Sequence, residues 1–192
     1  FLAGDSIVVS QKSGEGSAWG NVVVKDSSRT LTVTGVYANR TNEIEIIHGD
    51  STTPAIATNI EEGDTLILGA ARLRKSDDWL FAVGEVEFEQ GAFSGEGDSL
   101  SWELDTDEVW LLGNPAVRSE KEELTGDSVK MLVIDNKPSV LSLIGNAKVL
   151  SYTNDTLQNQ MMGKTLDAQF TGGDIDYVDI KGNGNILYYT ID

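Results

Sequence analysis

The sequence of 192 residues lacks cysteine altogether and holds only three prolines and a single histidine, His48. Without cysteine there are no disulfides, no thiolate ligands for a metal and no cysteine nucleophile. A zinc site built on one histidine would have to take its other ligands from carboxylates. No apolar run approaches the roughly 20 residues that a membrane-spanning helix requires. The composition therefore excludes cysteine-based catalysis and thiolate metal sites.

Basic residues are also scarce, because 14 Lys and Arg stand against 31 Asp and Glu and give a formal net charge of −17. Nucleic-acid affinity comes from Lys and Arg side chains that displace counterions from phosphates, so no nucleic-acid partner is expected. The same repulsion disfavours direct adsorption to an anionic membrane. An acidic surface instead keeps a strand-rich protein soluble and limits pairing between sheet edges.

Signatures of catalysis are missing as well. The sequence holds neither a G-x-S-x-G elbow nor a G-x-x-x-x-G-K-[ST] phosphate loop. A glycosidase needs only two carboxylates, and two acidic groups are candidates: Asp105, Asp107 and Glu108, and Asp174, Asp176 and Asp179. With 31 acidic residues, such groups arise by chance at solvated turns. The sequence therefore predicts no enzyme, no metal site and no cofactor.

Alternation of apolar and polar residues runs along much of the chain and predicts half-buried β-strands. Side chains expected to share a face are Leu31, Val33 and Tyr37 in one segment, Ile44 and Ile46 in a second, and Leu100, Trp102 and Leu104 in a third. No segment supports a helix of three turns. The best helical candidate begins at Asn154, carries Gly163 in its interior and is read as a loop leading into a strand.

The two tryptophans of the segment "SWELDTDEVWLLG" are expected in different environments. Trp102 belongs to the apolar face of its strand. Trp110 shares a face with Leu112, opposite Val109 and Leu111, because side chains alternate along a strand. One apolar face of this hairpin is therefore predicted to point outward or to line a groove.

Glycines recur at regular places in this pattern. Six units open at Gly4, Gly35, Gly63, Gly97, Gly126 and Gly163, and close at Gly20, Gly49, Gly84, Gly113, Gly145 and Gly182. Glycine suits corners where the chain turns sharply, and repeats of this length without helices predict stacked β-units. We expect one all-β domain over residues 1–192 with six degenerate repeats. Because the sequence begins with Phe1 rather than methionine, we also expect a fragment of a longer chain.

Two segments, "GNVVVKDSSRTLTVTGVYANRTNEIEIIHG" and "GDSLSWELDTDEVWLLGNPAVRSEKEELTGDSV", resemble the repeat of the OstA family. That family includes LptA and the N-terminal domain of LptD. The closing segment "NQMMGKTLDAQFTGGDIDYVDIKGNGNILYY" is similar to the end of OstA-like domains from Bacteroidota, where a glycine-lysine strand and a final GNG before an aromatic pair recur. The resemblance covers roughly the whole chain and rests on strands and corners rather than on catalytic residues.

The resemblance implies a repeat-built, twisted antiparallel β-structure, described as a β-taco or β-jellyroll, that is open and V-shaped or solenoid-like. It implies an apolar groove for the acyl chains of lipopolysaccharide or another acylated lipid, in the periplasm or at the outer membrane of a Gram-negative bacterium. It also implies end-to-end joining to other OstA or Lpt-type proteins through edge strands. Our candidates for the groove lining are Leu100, Trp102, Leu104, Val129, Met131, Val133, Leu141 and Leu143.

The expected function is therefore a non-catalytic carrier or scaffold in lipopolysaccharide transport and outer-membrane assembly. The charge of −17 is unfavourable for lipid A phosphates, so head groups would project into solvent or be bridged by divalent cations. One alternative is a structural β-repeat module without lipid binding, in which the same apolar residues form an ordinary closed core. The other is a carbohydrate-active β-helix, which needs two carboxylates about 5–9.5 Å apart in an exposed cleft.

Overall fold

The computed structural model describes residues 1–26, 30–41, 43–61, 64–134, 137–152, 158–171 and 174–189. Within these ranges it contains eighteen β-strands in one sheet and no helix, so the predicted all-β class is confirmed. No helix in this part of the chain is long and apolar enough to cross a membrane. The strands are β1 (Leu2–Ala3), β2 (Ser6–Val9), β3 (Gly16–Lys25), β4 (Leu31–Arg40), β5 (Glu45–His48), β6 (Ala55–Glu61), β7 (Asp64–Ala70), β8 (Arg72–Lys75), β9 (Trp79–Gln90), β10 (Phe93–Glu103), β11 (Glu108–Leu112), β12 (Ala116–Arg118), β13 (Glu122–Thr125), β14 (Ser128–Ile134), β15 (Lys137–Tyr152), β16 (Gln158–Thr171), β17 (Asp174–Lys181) and β18 (Asn185–Leu187).

The sheet folds into two walls that share the long strands β3, β4, β9, β10, β15 and β16. The first wall adds β2, β5, β8, β11, β14 and β17 to one half of the long strands. The second wall adds β1, β6, β7, β12, β13 and β18 to the other half. Among the described strands, β1 and β2 pair only with β3, and β17 and β18 pair only with β16. The sheet is therefore open at both ends and is not closed into a barrel.

All pairings between the described strands are antiparallel. A β-helix is built instead from parallel strands that stack coil upon coil. The β-helix considered above as an alternative architecture is therefore wrong. The antiparallel two-walled sheet is the arrangement that the resemblance implied.

The corner between the walls contains pairs of consecutive residues with positive φ. These pairs are Gly20–Asn21, Gly84–Glu85, Gly113–Asn114, Gly145–Asn146 and Gly182–Asn183. Glycine adopts this left-handed conformation readily, and asparagine does so more often than other residues with a Cβ. In β3, β9 and β15 the two corner residues lie opposite a single residue of the neighbouring strand. Such a β-bulge bends the strand without ending it.

The aspartates that follow two of the opening glycines form hydrogen bonds with the residues at the closing glycines. The Asp127 N–H donates to the Gly145 carbonyl at 2.8 Å, and Asn146 Nδ2 donates to Asp127 Oδ1 at 2.9 Å. Asp5 forms the equivalent bonds at another corner. Its N–H donates to the Gly20 carbonyl at 2.8 Å, and Asn21 Nδ2 donates to Asp5 Oδ2 at 2.9 Å. The Gly-Asp and Gly-Asn dipeptides that recur in the sequence are therefore two halves of one hydrogen-bonded corner.

The glycines expected to open and close the repeats lie at this corner, apart from one that falls outside the described residues. That exception is Gly63. The corresponding corner is formed by Ala70 and Ala71, and the Ala71 N–H donates to the Gly84 carbonyl at 2.8 Å. Alanine takes the place of glycine here, so a glycine search could not have found this corner.

The corner also changes which side chains point inward. In β4, Leu31 and Val33 are buried before the corner and Ala38 is buried after it. The prediction that Tyr37 shares a face with Leu31 is therefore wrong, because one corner residue of β4 lies opposite two residues of β3 and the alternation shifts. Ile46 likewise lies on the outer face, and its neighbour Ile47 is the buried one.

The inward side chains of both walls form one apolar cluster. Leu73 and Leu141 belong to the first wall, Leu68 and Leu124 to the second, and all four are almost completely buried. Each such side chain stabilises the fold by roughly 1.5–3 kcal/mol relative to an exposed position. The segment from Asn154 that was predicted as a loop leading into a strand is part of this sheet from Gln158 onward, and its residues 154–157 lie outside the described ranges.

We expect Gly145→Ala to destabilise the protein more than Gly91→Ala. Both glycines have positive φ, so either alanine costs about 1–2 kcal/mol in the left-handed conformation. A Cβ at Gly145 would also lie 2.7 Å from Asp127 Cγ, whereas a Cβ at Gly91 meets no heavy atom within 4 Å. The overpacking adds about 1–3 kcal/mol. Urea unfolding followed by tryptophan fluorescence measures the difference, and equal losses for the two variants would contradict a close-packed corner.

Candidate functional site

The space between the walls is closed along the corner and is bordered on its opposite side by two rows of hairpin turns. We call this opposite side the mouth. Turns 76–78 and 104–107 belong to the first wall, and turns 91–92 and 119–121 belong to the second. A ligand held between the walls would therefore enter at the mouth or at an open end of the sheet.

A small apolar cavity of about 20 Å³ lies between the walls. The second wall lines it with Leu66, Leu68, Phe88 and Gln90, and the first wall lines it with Leu100, Trp102, Val109, Met131 and Val133. A cavity of this size has room for about one water molecule. An acyl chain therefore fits between the walls only if they move apart.

All eight candidate residues are buried in the interior cluster. Leu100, Trp102, Met131 and Val133 line the cavity, whereas Leu104, Val129, Leu141 and Leu143 pack between the walls without lining it. Their proposed contact with lipid stays a prediction. The sequence reasoning did not include the opposing residues Leu66, Leu68 and Phe88, although each alternates with polar or outward neighbours in its own strand.

Two contacts join the walls at the mouth. Lys75 of β8 forms an ion pair with Asp26, which follows β3, at a Nζ–Oδ2 distance of 2.8 Å. Their side chains are only 8% and 13% exposed. Phe93 of β10 meets Phe170 of β16 edge to face, with ring centroids 5.3 Å apart. Such an aromatic pair adds about 0.5–1.5 kcal/mol to its burial, and loss of one partner of a buried ion pair costs about 3–5 kcal/mol.

A third contact at the mouth is much weaker. Lys121 in the β12–β13 turn pairs with Asp174 of β17 at 3.3 Å, but the two side chains are 60% and 73% exposed. Exposed ion pairs contribute about 1 kcal/mol at most. Among the described residues, these side-chain contacts join the walls at the mouth, whereas the backbone of continuous strands joins them at the corner.

The first group of candidate carboxylates is Asp105, Asp107 and Glu108. Among them, Glu108 is hydrogen-bonded to side chains on the outer face. Lys130 Nζ and Trp110 Nε1 each lie 2.7 Å from a carboxylate oxygen of Glu108. The hydrogen bond from Lys130, and after it the one from Trp110, hold the pKa of the Glu108 carboxyl below its usual value. Trp102 Nε1 donates to Asp107 at 3.3 Å. A glycosidase acid needs a raised pKa, so Glu108 is unsuited to that role.

The second group of candidate carboxylates is Asp174, Asp176 and Asp179, and two of these form ion pairs. Asp174 binds Lys121, and Asp179 Oδ2 lies 3.0 Å from Lys181 Nζ. Within the described ranges, no three His, Cys, Asp or Glu side chains are grouped to hold a metal ion. The arrangement is that of an apolar interior with charged outer faces.

The structure defines a class of protein, an open antiparallel β-sheet folded into two apolar-lined walls. No protein-family model matches the sequence, and no curated protein sequence matches it. The fold is similar to that of LptH from Pseudomonas aeruginosa, described as the LptA-homologous periplasmic component of the lipopolysaccharide transport device. The TM-score is 0.53 with 16% sequence identity, over 59% of this chain and 81% of the LptH chain. At this identity the likeness shows a shared fold, the LptA-like β-jellyroll or β-taco.

We expect the Glu108→Gln variant to be less stable than the parent protein, by an amount that depends on pH. Because the folded-state pKa is lowered, the ionised carboxylate stabilises the protein above the unfolded pKa of about 4.3 and ceases to do so as the pH falls through the folded pKa. The variant should be less stable than the parent at pH 7, by about 0.2–1 kcal/mol as for exposed ion pairs. In strong acid the two should be equally stable.

Urea unfolding at a series of pH values measures this effect. Glu89→Gln is the matched control, because the exposed Glu89 forms no ion pair with any described residue. A stability difference for Glu108→Gln that stays constant from neutral to acid pH would show that the hydrogen bonds to its carboxylate contribute nothing.

Proposed function

We propose that the chain is a non-catalytic carrier or scaffold that holds the acyl chains of lipopolysaccharide, or of another acylated lipid, during outer-membrane assembly. The proposal places it in the periplasm or at the outer membrane of a Gram-negative bacterium. The observation that carries the proposal is the apolar interior between two walls, in a fold shared with a component of the lipopolysaccharide transport device.

The energetics of an acyl chain support this proposal. Each methylene group removed from water contributes about 0.8 kcal/mol, so a chain of ten carbons gains roughly 8 kcal/mol on entering the interior. The described contacts that join the walls at the mouth are two ion pairs and an aromatic pair, and the inner wall residues would exchange one apolar neighbour for another. Lipid entry therefore has a driving force of about the same size as the described contacts that join the walls at the mouth.

The charge of the chain limits where a lipid head group can lie. With a net charge of −17, the protein repels phosphates, so the head group stays outside the mouth or is bridged by divalent cations. Among the described residues, Lys75 and Lys121 are cations at the mouth, and each is paired with an aspartate. A lipid phosphate would compete with those aspartates.

The small interior cavity favours a second candidate function. A volume of about 20 Å³ is what an ordinary packed core leaves empty. A structural β-repeat module without lipid binding would need nothing more. The two functions differ in one measurable respect, the presence of an acyl chain beside Trp102.

Single-tryptophan variants test for that acyl chain. Of the four tryptophans, three are replaced by Phe so that either Trp102 or Trp110 remains. Trp102 lines the cavity and Trp110 lies on the outer face, so a lipid brominated in its acyl chain should quench the first in a saturable way and leave the second unchanged. Native mass spectrometry with lipopolysaccharide measures the stoichiometry. Equal quenching of both would place the lipid on the outer surface, and quenching of neither would favour the structural module.

A cross-linked mouth is the control for the route of entry. The chain has no cysteine, so Phe93→Cys together with Phe170→Cys introduces the only two thiols. The double variant should bind lipid before treatment with a short bismaleimide and lose binding after it. Undiminished binding by the cross-linked protein would show that the lipid does not enter through this part of the mouth.

End-to-end joining to Lpt-type proteins or to another copy is part of the proposal. Ile7, Val8 and Val9 are exposed on the edge strand β2, and Tyr177 is exposed on the edge strand β17 at the other end. These edges leave backbone groups free to extend the sheet by strand addition. A head-to-tail array would continue both walls from one protein to the next.

Charged edge variants test this joining. Val8→Lys and Tyr177→Lys should each prevent self-association, because lysine on an edge strand opposes strand addition. A mixture should form dimers, since the first variant keeps an intact β17 edge and the second keeps an intact β2 edge. Size-exclusion chromatography with light scattering distinguishes these states. Ile60→Lys, at an exposed apolar position of β6 inside the sheet rather than on an edge strand, is the control. Continued assembly of either edge variant alone would contradict head-to-tail joining.

A further inference from the structure

A second apolar surface lies on the outer face of the first wall, away from the interior. Side chains of Ile44, Ile46, Arg72, Arg74, Phe81 and Val83 surround a depression of about 480 Å³, and we call this set the outer platform. The neighbours of these residues along β5, β8 and β9, among them Ile47, Leu73 and Leu80, are fully buried on the inner face. The outer platform is therefore separated from the proposed lipid groove by the thickness of the sheet.

The floor of the outer platform is apolar. Phe81 and Val83 are 36% and 44% exposed, although both are large apolar residues of a regular strand. Trp79 stacks on Phe81, with ring centroids 5.6 Å apart and an angle of 13° between the rings. Exposed apolar side chains that cluster on one surface mark interaction sites in soluble proteins. Lipid binding in the interior groove does not account for these exposed apolar side chains, because they lie on the opposite face of the sheet.

Two guanidinium groups stand above this floor. Arg72 and Arg74 are two residues apart on β8, so both project from the same face about 7 Å apart. The Arg74 guanidinium lies 6.0 Å from the centre of the Phe81 ring, a cation–π contact that holds it over the apolar floor. Their register partners in β5 and β9 are His48, Ile46, Val83 and Phe81, and none of these is a carboxylate.

These two arginines differ from six other described basic residues, each of which forms an ion pair with a carboxylate. The cations with carboxylate partners are Arg40 with Glu45, Lys75 with Asp26, Arg118 with Glu96 and Glu123, Lys121 with Asp174, Lys130 with Glu108, and Lys181 with Asp167 and Asp179. Arg72 and Arg74 form no ion pair with any residue that the structure describes. In a chain of net charge −17, the outer platform is thus a local cationic surface whose two arginines are not paired with any described carboxylate.

We infer that the outer platform binds an amphipathic anion, a phosphate or carboxylate group joined to a short aliphatic or aromatic body. The planar guanidinium groups of Arg72 and Arg74 hold the anionic group, because their paired N–H donors match phosphate and carboxylate oxygens. The body lies on Phe81, Val83 and Ile46. The volume of about 480 Å³ is within the range of small-molecule sites, roughly 300–1,000 Å³. This inference does not depend on lipid binding in the interior.

A titration of the full chain with three defined probes tests the inference. The probes are octyl phosphate, octyltrimethylammonium and inorganic phosphate, and backbone amide shifts in NMR spectra locate each one. Octyl phosphate should bind in a saturable way and shift the amides of Ile46, Arg72, Arg74 and Phe81. Inorganic phosphate should bind at least tenfold more weakly because it lacks the apolar body, and octyltrimethylammonium should not bind at this site. Equal binding of the two octyl probes, or shifts confined to Trp102 and the interior, would overturn the inference.

Variants assign the effect to the two arginines. Arg72→Ala with Arg74→Ala should weaken the binding of octyl phosphate at least tenfold. Lys12→Ala with Lys148→Ala removes the same charge elsewhere and should leave the affinity unchanged, because neither lysine contacts the outer platform. Arg72→Lys with Arg74→Lys keeps the charge and should show an intermediate affinity. Unchanged binding by the alanine variant would overturn the inference. If the alanine variant fails to fold, the lysine variant and the three-probe map decide.

Discussion

The bend at the corner is the constraint on which the two-walled structure depends. A long strand such as β15 must stay hydrogen-bonded to its neighbours in both walls while its direction changes between them. The pair Gly145–Asn146 makes this possible, because two left-handed residues lie opposite the single residue Lys164 of β16. Asp127 then satisfies the exposed backbone and amide groups of the bend. With the bend fixed, the apolar side chains of both halves face one another across a common interior.

The same bend explains how far the sequence could be read. Leu100, Trp102, Met131 and Val133 were identified from local alternation, because each lies in a stretch of strand on one side of the corner. Alternation also predicted that Trp110 and Leu112 lie opposite Val109 and Leu111, and the structure places Trp110 and Leu112 on the outer face. Tyr37 was misplaced because the bulge shifts the alternation by one residue. The pairing of first-wall residues with Leu66 and Phe88 depends on how the walls twist over each other, which no local pattern records.

The interior and the mouth differ in what holds them. Strands that continue through the corner keep the walls attached to each other over the length of the sheet. At the mouth, side chains of the described residues join the walls through contacts that include a buried ion pair, an aromatic pair and an exposed ion pair. A folded domain has a net stability of only about 5–15 kcal/mol, so separation of the walls must preserve most of the core. Widening that begins at the mouth meets this condition, since it leaves the corner bonds and the strand pairing intact.

Charge distribution separates the two apolar surfaces of the protein. The interior is bounded at the mouth by lysines already bound to aspartates, so a ligand gains there chiefly from burial of hydrocarbon. The outer platform combines a smaller apolar area with two arginines that have no acidic partner among the described residues. An amphiphile with long tails and an exposed head suits the first surface, whereas a compact anion with one short body suits the second. The sheet between them is one strand layer thick, so each surface uses the alternate side chains of the same strands.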